Sequence, residues 1–184
     1  MYQTTYHRAS SIDEAAALFA KGKESKYLAG GHTLLPVMKQ RLAAPSDVID
    51  LARIKELVGI DVSAEAVTVR AATTHYDVAT SEAVQRAISA LAHLAATIGD
   101  PAVRHRGTIG GSLANNDPAA DYPAAVLALG ATIRTNQRSI QLMISSQACS
   151  QQRLRTARSS PPCRSRFRPR RVMQNSRTRP RALR

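Results

Sequence analysis

The sequence has no tryptophan, and aromatic residues make up only 4% of its 184 positions. Its core must therefore be aliphatic, assembled from Ala, Leu, Ile and Val. No apolar run approaches the roughly 20 residues of a membrane-spanning helix. Met1 is not followed by the basic and then apolar pattern of a secretory leader, so the expected location is cytoplasmic. Cysteine is nearly absent too: Cys149 and Cys163 are the only two. Their placement gives neither a disulfide framework nor the spacing of a zinc or iron–sulfur site.

The last 44 residues lack more. Segment 141–184 has no glycine, no lysine and no acidic residue, but twelve arginines, seven serines and four prolines. Residues 1–140 carry 14 Lys and Arg against 13 Asp and Glu, so nearly all of the net charge of +13 lies beyond Ile140. A segment of that composition buries too little apolar surface to offset its chain entropy. It is expected to be a disordered basic tail. The abrupt change is what an out-of-frame reading of a GC-rich gene would give, and a frameshift near Ile140 is the expectation. A fold interrupted there would bind its ligand weakly and tend to aggregate.

Within residues 1–140 the periodicities point to an α+β protein in two small layers. Ser11-Ile12-Asp13-Glu14 predicts a capping box and a helix ending near Gly22. Strands are expected at 26–29 and 48–51, with a helix between them that Thr33 caps and Pro45 stops, making a small βαβ unit. Residues 57–62 and 66–71 predict neighbouring strands. Thr74 predicts a cap for a helix at 75–80, and 87–98 carries apolar residues at helical spacing. An irregular loop is expected at 99–111, then a helix at 121–129 and a strand at 131–134 that opens a hairpin. These elements divide into a small subdomain at 1–56 and an incomplete second one at 57–140, with the tail at 141–184.

Two glycine pairs carry the chemistry: Ala29-Gly30-Gly31-His32-Thr33 and Thr108-Ile109-Gly110-Gly111-Ser112. Paired glycines allow positive φ and remove Cβ atoms, so that successive N–H groups can converge on an anion. The first lies between a strand and a helix start, where unpaired N–H groups favour phosphate. Neither is a Walker A loop, and neither is the G-x-G-x-x-G dinucleotide fingerprint. Each alone is most simply a turn. Two cradles facing each other, each followed by a hydroxyl at Thr33 or Ser112, would suit a diphosphate joining two nucleotide halves.

These loops, together with Val103-Arg104-His105-Arg106-Gly107-Thr108 and Asp117-Pro118-Ala119-Ala120-Asp121, resemble the flavin-binding medium subunit of the molybdenum hydroxylases, the family of xanthine dehydrogenase and aerobic carbon monoxide dehydrogenase. The resemblance covers residues 1–140. It implies a two-subdomain FAD-binding module of the vanillyl-alcohol oxidase (PCMH) type. It further implies that Ala29, Gly30, Gly31, His32, Thr33, Thr108, Ile109, Gly110, Gly111 and Ser112 hold the FAD diphosphate, that Asn115 lies against the cofactor, and that Asp121 accepts hydrogen bonds from its ribose or adenine side. Asp121 could equally cap the helix it begins, and Arg104 and Arg106 could be solvated charges. His75 and His93 are expected at a helix surface or core edge.

In such a family the flavin subunit passes electrons from iron–sulfur clusters to an external acceptor. The molybdenum cofactor and 2Fe-2S clusters are then expected on partner chains, a large molybdenum-binding subunit and a small iron–sulfur subunit. No catalytic residue and no metal ligand is expected on this chain, and the carbon-monoxide-dehydrogenase-like branch is favoured. Three alternatives remain: a nucleic-acid-binding protein using the Arg-rich tail, a flavin oxidase acting alone, and an inactive fragment.

Overall fold

The computed structural model describes residues 2–142 in full and residues 162–167 as backbone. Three parallel strands form the first sheet: β1 (Thr5–Arg8), β2 (Ser25–Leu28) and β3 (Asp47–Asp50), in the order β1-β3-β2. Helices α1 (Ile12–Lys21) and α2 (Leu34–Lys39) make the two crossovers. Ser11 caps α1 by accepting from the Glu14 N–H. The Glu14 carboxylate reaches back to Ser10 rather than to Ser11, one residue earlier than a capping box requires. The strand β1 carries no apolar alternation and was not expected from the sequence. It is held by pairing with β3 rather than by burial of its side chains, three of which are exposed.

The second sheet holds β4 (Ile60–Val62), β5 (Val67–Arg70), β6 (Thr132–Thr135), β7 (Ser139–Gln141) and β8 (Pro162–Phe167). Its order is β4-β5-β8-β6-β7, antiparallel throughout. Strand β8 corrects the expectation of a structureless tail. Residues 162–167 complete the sheet that looked unfinished at Ile140, because β5 and β6 both pair with β8 and not with each other. Gln141 of the expected tail pairs in β7; the tail residues at 143–161 and 168–184 lie outside the described residues.

Six helices cover this sheet and fill the space beside it: α3 (His75–Thr80), α4 (Glu82–Ala87), α5 (Ser89–Thr97), α6 (Pro101–Arg106), α7 (Ile109–Asn115) and α8 (Asp121–Ala128). Three expectations change here. The helix expected at 87–98 is α5 alone, because Ile88 at φ −145° breaks it from α4, which Ser81 starts by capping Val84 N–H. Residues 57–62 are not one strand: a short 3-10 turn at Lys55–Leu57 and Gly59 at φ +132° precede β4. The stretch 99–111 is not an irregular loop. Asp100 caps α6 with Pro101 in its first turn, and Thr108 caps α7, so Gly110 and Gly111 belong to a helix start.

Aliphatic packing forms two clusters, as the scarcity of aromatics requires. One joins Val67, Val69, Val78, Leu91, Ile109, Leu113, Val126 and Ile133 between the second sheet and its helices. The other joins Ala15, Ile49, Leu51, Ile54, Leu57 and Ala71 beneath the first sheet. Thr74 makes a complete capping box with Asp77 at the head of α3. Thr74→Ala should cost about 1 kcal/mol, read as a lower urea midpoint with an unchanged slope.

Candidate functional site

A cleft of about 520 Å³ runs between the two cores, and both glycine segments line it. The cradles face each other closely. A Cβ built on Gly30 would stand 2.1 Å from the Arg106 carbonyl oxygen and 2.8 Å from the Gly107 Cα, and one on Gly111 would reach the Ala29 Cβ at 3.8 Å. Only glycine lets the first loop lie on the second at that distance. Gly31 adopts φ +83°, which turns the chain from β2 into α2.

The two loops differ in what they offer an anion. In the first, the N–H groups of Gly30, Gly31, His32 and Thr33 donate to no acceptor among the described residues. Thr33 occupies the cap position of α2, but its hydroxyl makes no capping bond and so is left for the cleft. In the second loop the amides from Ile109 to Ser112 are already engaged. Ile109 N–H donates to Thr73 O at 3.2 Å and Gly110 N–H to Ala71 O at 2.9 Å. Gly111 N–H donates to the Thr108 hydroxyl at 3.1 Å and Ser112 N–H to Thr108 O at 3.0 Å. The expectation that both loops present backbone donors is thus corrected. The second loop is a helix start whose amides anchor it to the end of β5, leaving the Ser112 hydroxyl on its cleft side.

The other expected site residues separate in the same way. Ala29, His32, Thr108 and Asn115 line the cleft. Ile109 does not: its side chain is fully buried in the core. Asp121 does not line it either. It sits exposed in the first turn of α8, where a carboxylate suits the helix dipole, and neither accepts a capping bond nor faces the cleft. The turn before it brings Asp117 and Ala120 to the wall instead. Arg104 Nη1 donates to the Ile98 and Gly99 carbonyls at 2.8 and 2.6 Å and clamps the turn into α6. Arg106 is exposed and does not line the cleft.

Three contributors were not foreseen. Phe19 and Tyr27 stack at 4.4 Å and line the far end of the cleft, where burial pushes the Tyr27 hydroxyl up to about 12. His75, expected at a surface or core edge, is 5% exposed and forms part of the wall. Its N–H donates to Gly107 O, pairing the head of α3 with the head of α7. Burial, aided by nearby His32, pushes the imidazole down to about 4. Its surroundings are set by a long-range contact with Gly107, which leaves no local mark in the sequence.

The family model for the FAD binding domain in molybdopterin dehydrogenase matches residues 2–160, and the chain belongs to that family. The match runs 20 residues past Ile140, further than the resemblance in the sequence motifs. The carbon monoxide dehydrogenase medium chain of Hydrogenophaga pseudoflava is 46% identical over 127 residues, 68% of this chain and 44% of that relative. The glyceraldehyde dehydrogenase medium chain of Sulfolobus acidocaldarius is 37% identical over 129 residues, 70% of this chain and 46% of its own length. Among solved structures, carbon monoxide dehydrogenase from Hydrogenophaga pseudoflava aligns with a TM-score of 0.79 and 33% identity, covering 92% of this chain and 60% of that one. Quinoline 2-oxidoreductase from Pseudomonas putida 86 aligns equally well, at 0.79 and 28% identity, over 91% and 60%. The chain spans less than half the length of the curated relatives. Among the described residues no helix is long and apolar enough to cross a membrane, and no cluster of His, Cys, Asp or Glu could hold a metal ion.

Proposed function

We propose that this chain binds FAD in the cleft between Gly30 and Gly111 and acts as the flavin-bearing part of a molybdenum hydroxylase related to carbon monoxide dehydrogenase. The observation that carries the reading is the side-chain-free contact of Gly30 with the Arg106–Gly107 backbone, beside four amides that donate to no acceptor among the described residues. A diphosphate fits that donor set: N–H groups from Gly30 to Thr33 and the Thr33 hydroxyl on one wall, and the Ser112 hydroxyl across the cleft. Asn115 and Asp117 would meet the nucleotide beyond the diphosphate. The division of labour follows the proposed subdomains, with 1–56 supplying the first loop and 57–140 the second.

Bound FAD would supply two-electron redox chemistry with one-electron steps, taking electrons from iron–sulfur clusters on a small partner subunit and delivering them to an external acceptor. The chain's own residues bind and orient it. Oxidation of the substrate belongs to a large molybdenum-bearing partner, and the higher identity to the carbon monoxide dehydrogenase medium chain than to the glyceraldehyde dehydrogenase one favours carbon monoxide. These relatives are dehydrogenase medium chains, which favours the flavin reading over nucleic-acid binding by the Arg-rich segment. Titrating the full chain with FAD and following flavin fluorescence tests the proposal. Saturable one-to-one quenching is expected; a folded chain that leaves flavin fluorescence unchanged would refute it.

A further inference from the structure

His75 and Tyr122 are the two large polar side chains sealed beside the second loop. Tyr122 is fully buried and His75 nearly so, and their rings lie 5.2 Å apart at a 33° tilt. The Tyr122 hydroxyl and His75 Nδ1 are both sealed from solvent, and neither has a hydrogen-bond partner among the described residues. Leaving either group unmade is costly. One is an O–H donor and the other an imidazole nitrogen able to accept. They do not bond each other directly, but they are complementary, and one water held between them would satisfy both. An acceptor role at Nδ1 puts the imidazole proton on Nε2. That nitrogen faces Gly107, where a built Cβ would stand 2.6 Å from it, at the point where the first loop lies on the second. His75 lines the cleft there.

We propose that His75 is a cofactor-binding residue whose Nε2–H donates to the diphosphate of a dinucleotide, with Tyr122 as the positioning residue that holds the imidazole in that tautomer. The inference rests on the FAD reading above and adds a side-chain donor to a second loop whose own amides are engaged. A neutral donor suits this place, because an imidazolium walled in beside His32 would lack a fixed counter-charge until the ligand arrived. Tyr122 acts only through His75, since it does not line the cleft.

The test is FAD affinity of the full chain by fluorescence titration for wild type, His75→Leu, His75→Gln and Tyr122→Phe. Removing one hydrogen bond to a charged group should weaken binding roughly 10- to 100-fold in His75→Leu. The amide N–H of His75→Gln should restore most of the loss, which a packing role would not. Tyr122→Phe should give a smaller loss. Should His75→Leu fail to fold, long-range ¹⁵N–¹H spectra of wild type decide the matter. The His75 signals are expected to show the Nε2–H tautomer and to move on FAD addition. Equal affinity in His75→Leu, an Nδ1–H tautomer, or His75 signals indifferent to FAD would overturn the assignment. Binding by none of the chains, wild type included, would instead overturn the FAD reading itself and this inference with it.

Discussion

Gly30→Ala should weaken FAD binding about 10- to 100-fold, the equivalent of ~1–3 kcal/mol of overpacking, while leaving most of the fold intact. The added methyl would stand 2.1 Å from a backbone oxygen and 2.8 Å from a backbone carbon. Neither is the flexible end of a side chain, so the loops must move apart. The first loop belongs to the small parallel sheet and the second to the head of α7, so separation widens the mouth of the cleft without opening either core. Substitutions at two other glycines give the comparison. Gly31→Ala would meet only side chains, Leu35 at 3.0 Å and Leu28 at 3.5 Å, but must hold φ +83°, which costs ~1–2 kcal/mol in folding stability. Gly99→Ala meets nothing within 4 Å and should leave affinity unchanged. Parallel FAD titrations and urea melts of the three variants check this ordering; equal affinity for Gly30→Ala and Gly99→Ala would remove the loop contact from the binding mechanism.

Acidification is expected to destabilise the free protein through His75. Its folded value, near 4, lies below the ordinary 6.5, so between those values the unfolded chain holds a proton that the folded chain does not. Stability is therefore fully present above about pH 6.5 and falls as pH drops towards 4, by about 3 kcal/mol in all. The groups around the imidazole leave this sign unchanged: His32 opposes its protonation, Tyr122 is held neutral by burial, and Asp77 on its own helix is engaged in the Thr74 cap. Asp121 bears on Tyr122 from the exposed end of α8, and Arg104 of the adjoining helix is tied to carbonyls. His75→Gln should flatten the slope of stability between pH 6.5 and 4.5, measured by urea unfolding at stepped pH. A slope identical to wild type would place the acid sensitivity elsewhere.

The site was legible where its chemistry is local. Gly-Gly pairs followed by hydroxyls at Thr33 and Ser112 are visible in the chain, and so are the caps at Ser11 and Thr74. The sequence did not show which amides were already spent. That depends on Ala71 and Thr73 at the end of β5 accepting from Gly110 and Ile109, a pairing across more than thirty residues. Asp100-Pro101 and Thr108 are helix-start signals that the glycines between and after them obscured, and a loop was expected instead. His75 looked ordinary because its helix is capped and short; its burial comes from Gly107 and Tyr122, neither near it in sequence. The tail's composition differs from that of the rest of the chain, yet backbone pairing asks little of side chains, and 162–167 can supply a strand all the same.

That strand has a consequence for how the protein is made. Because β8 lies between β5 and β6, the second sheet has no central member until the residue at position 167 has left the ribosome. Until then β5 and β6 present unpaired backbone to solvent and to each other's copies, the exposure that promotes association between nascent chains. Pairings of such sequence separation also close slowly. The small parallel sheet, complete by Asp50, can form early and wait. A chain cut after Ile140 would thus lose more than its positive charge, and comparing it with the full chain would mix the contribution of the arginines with that of the missing strand.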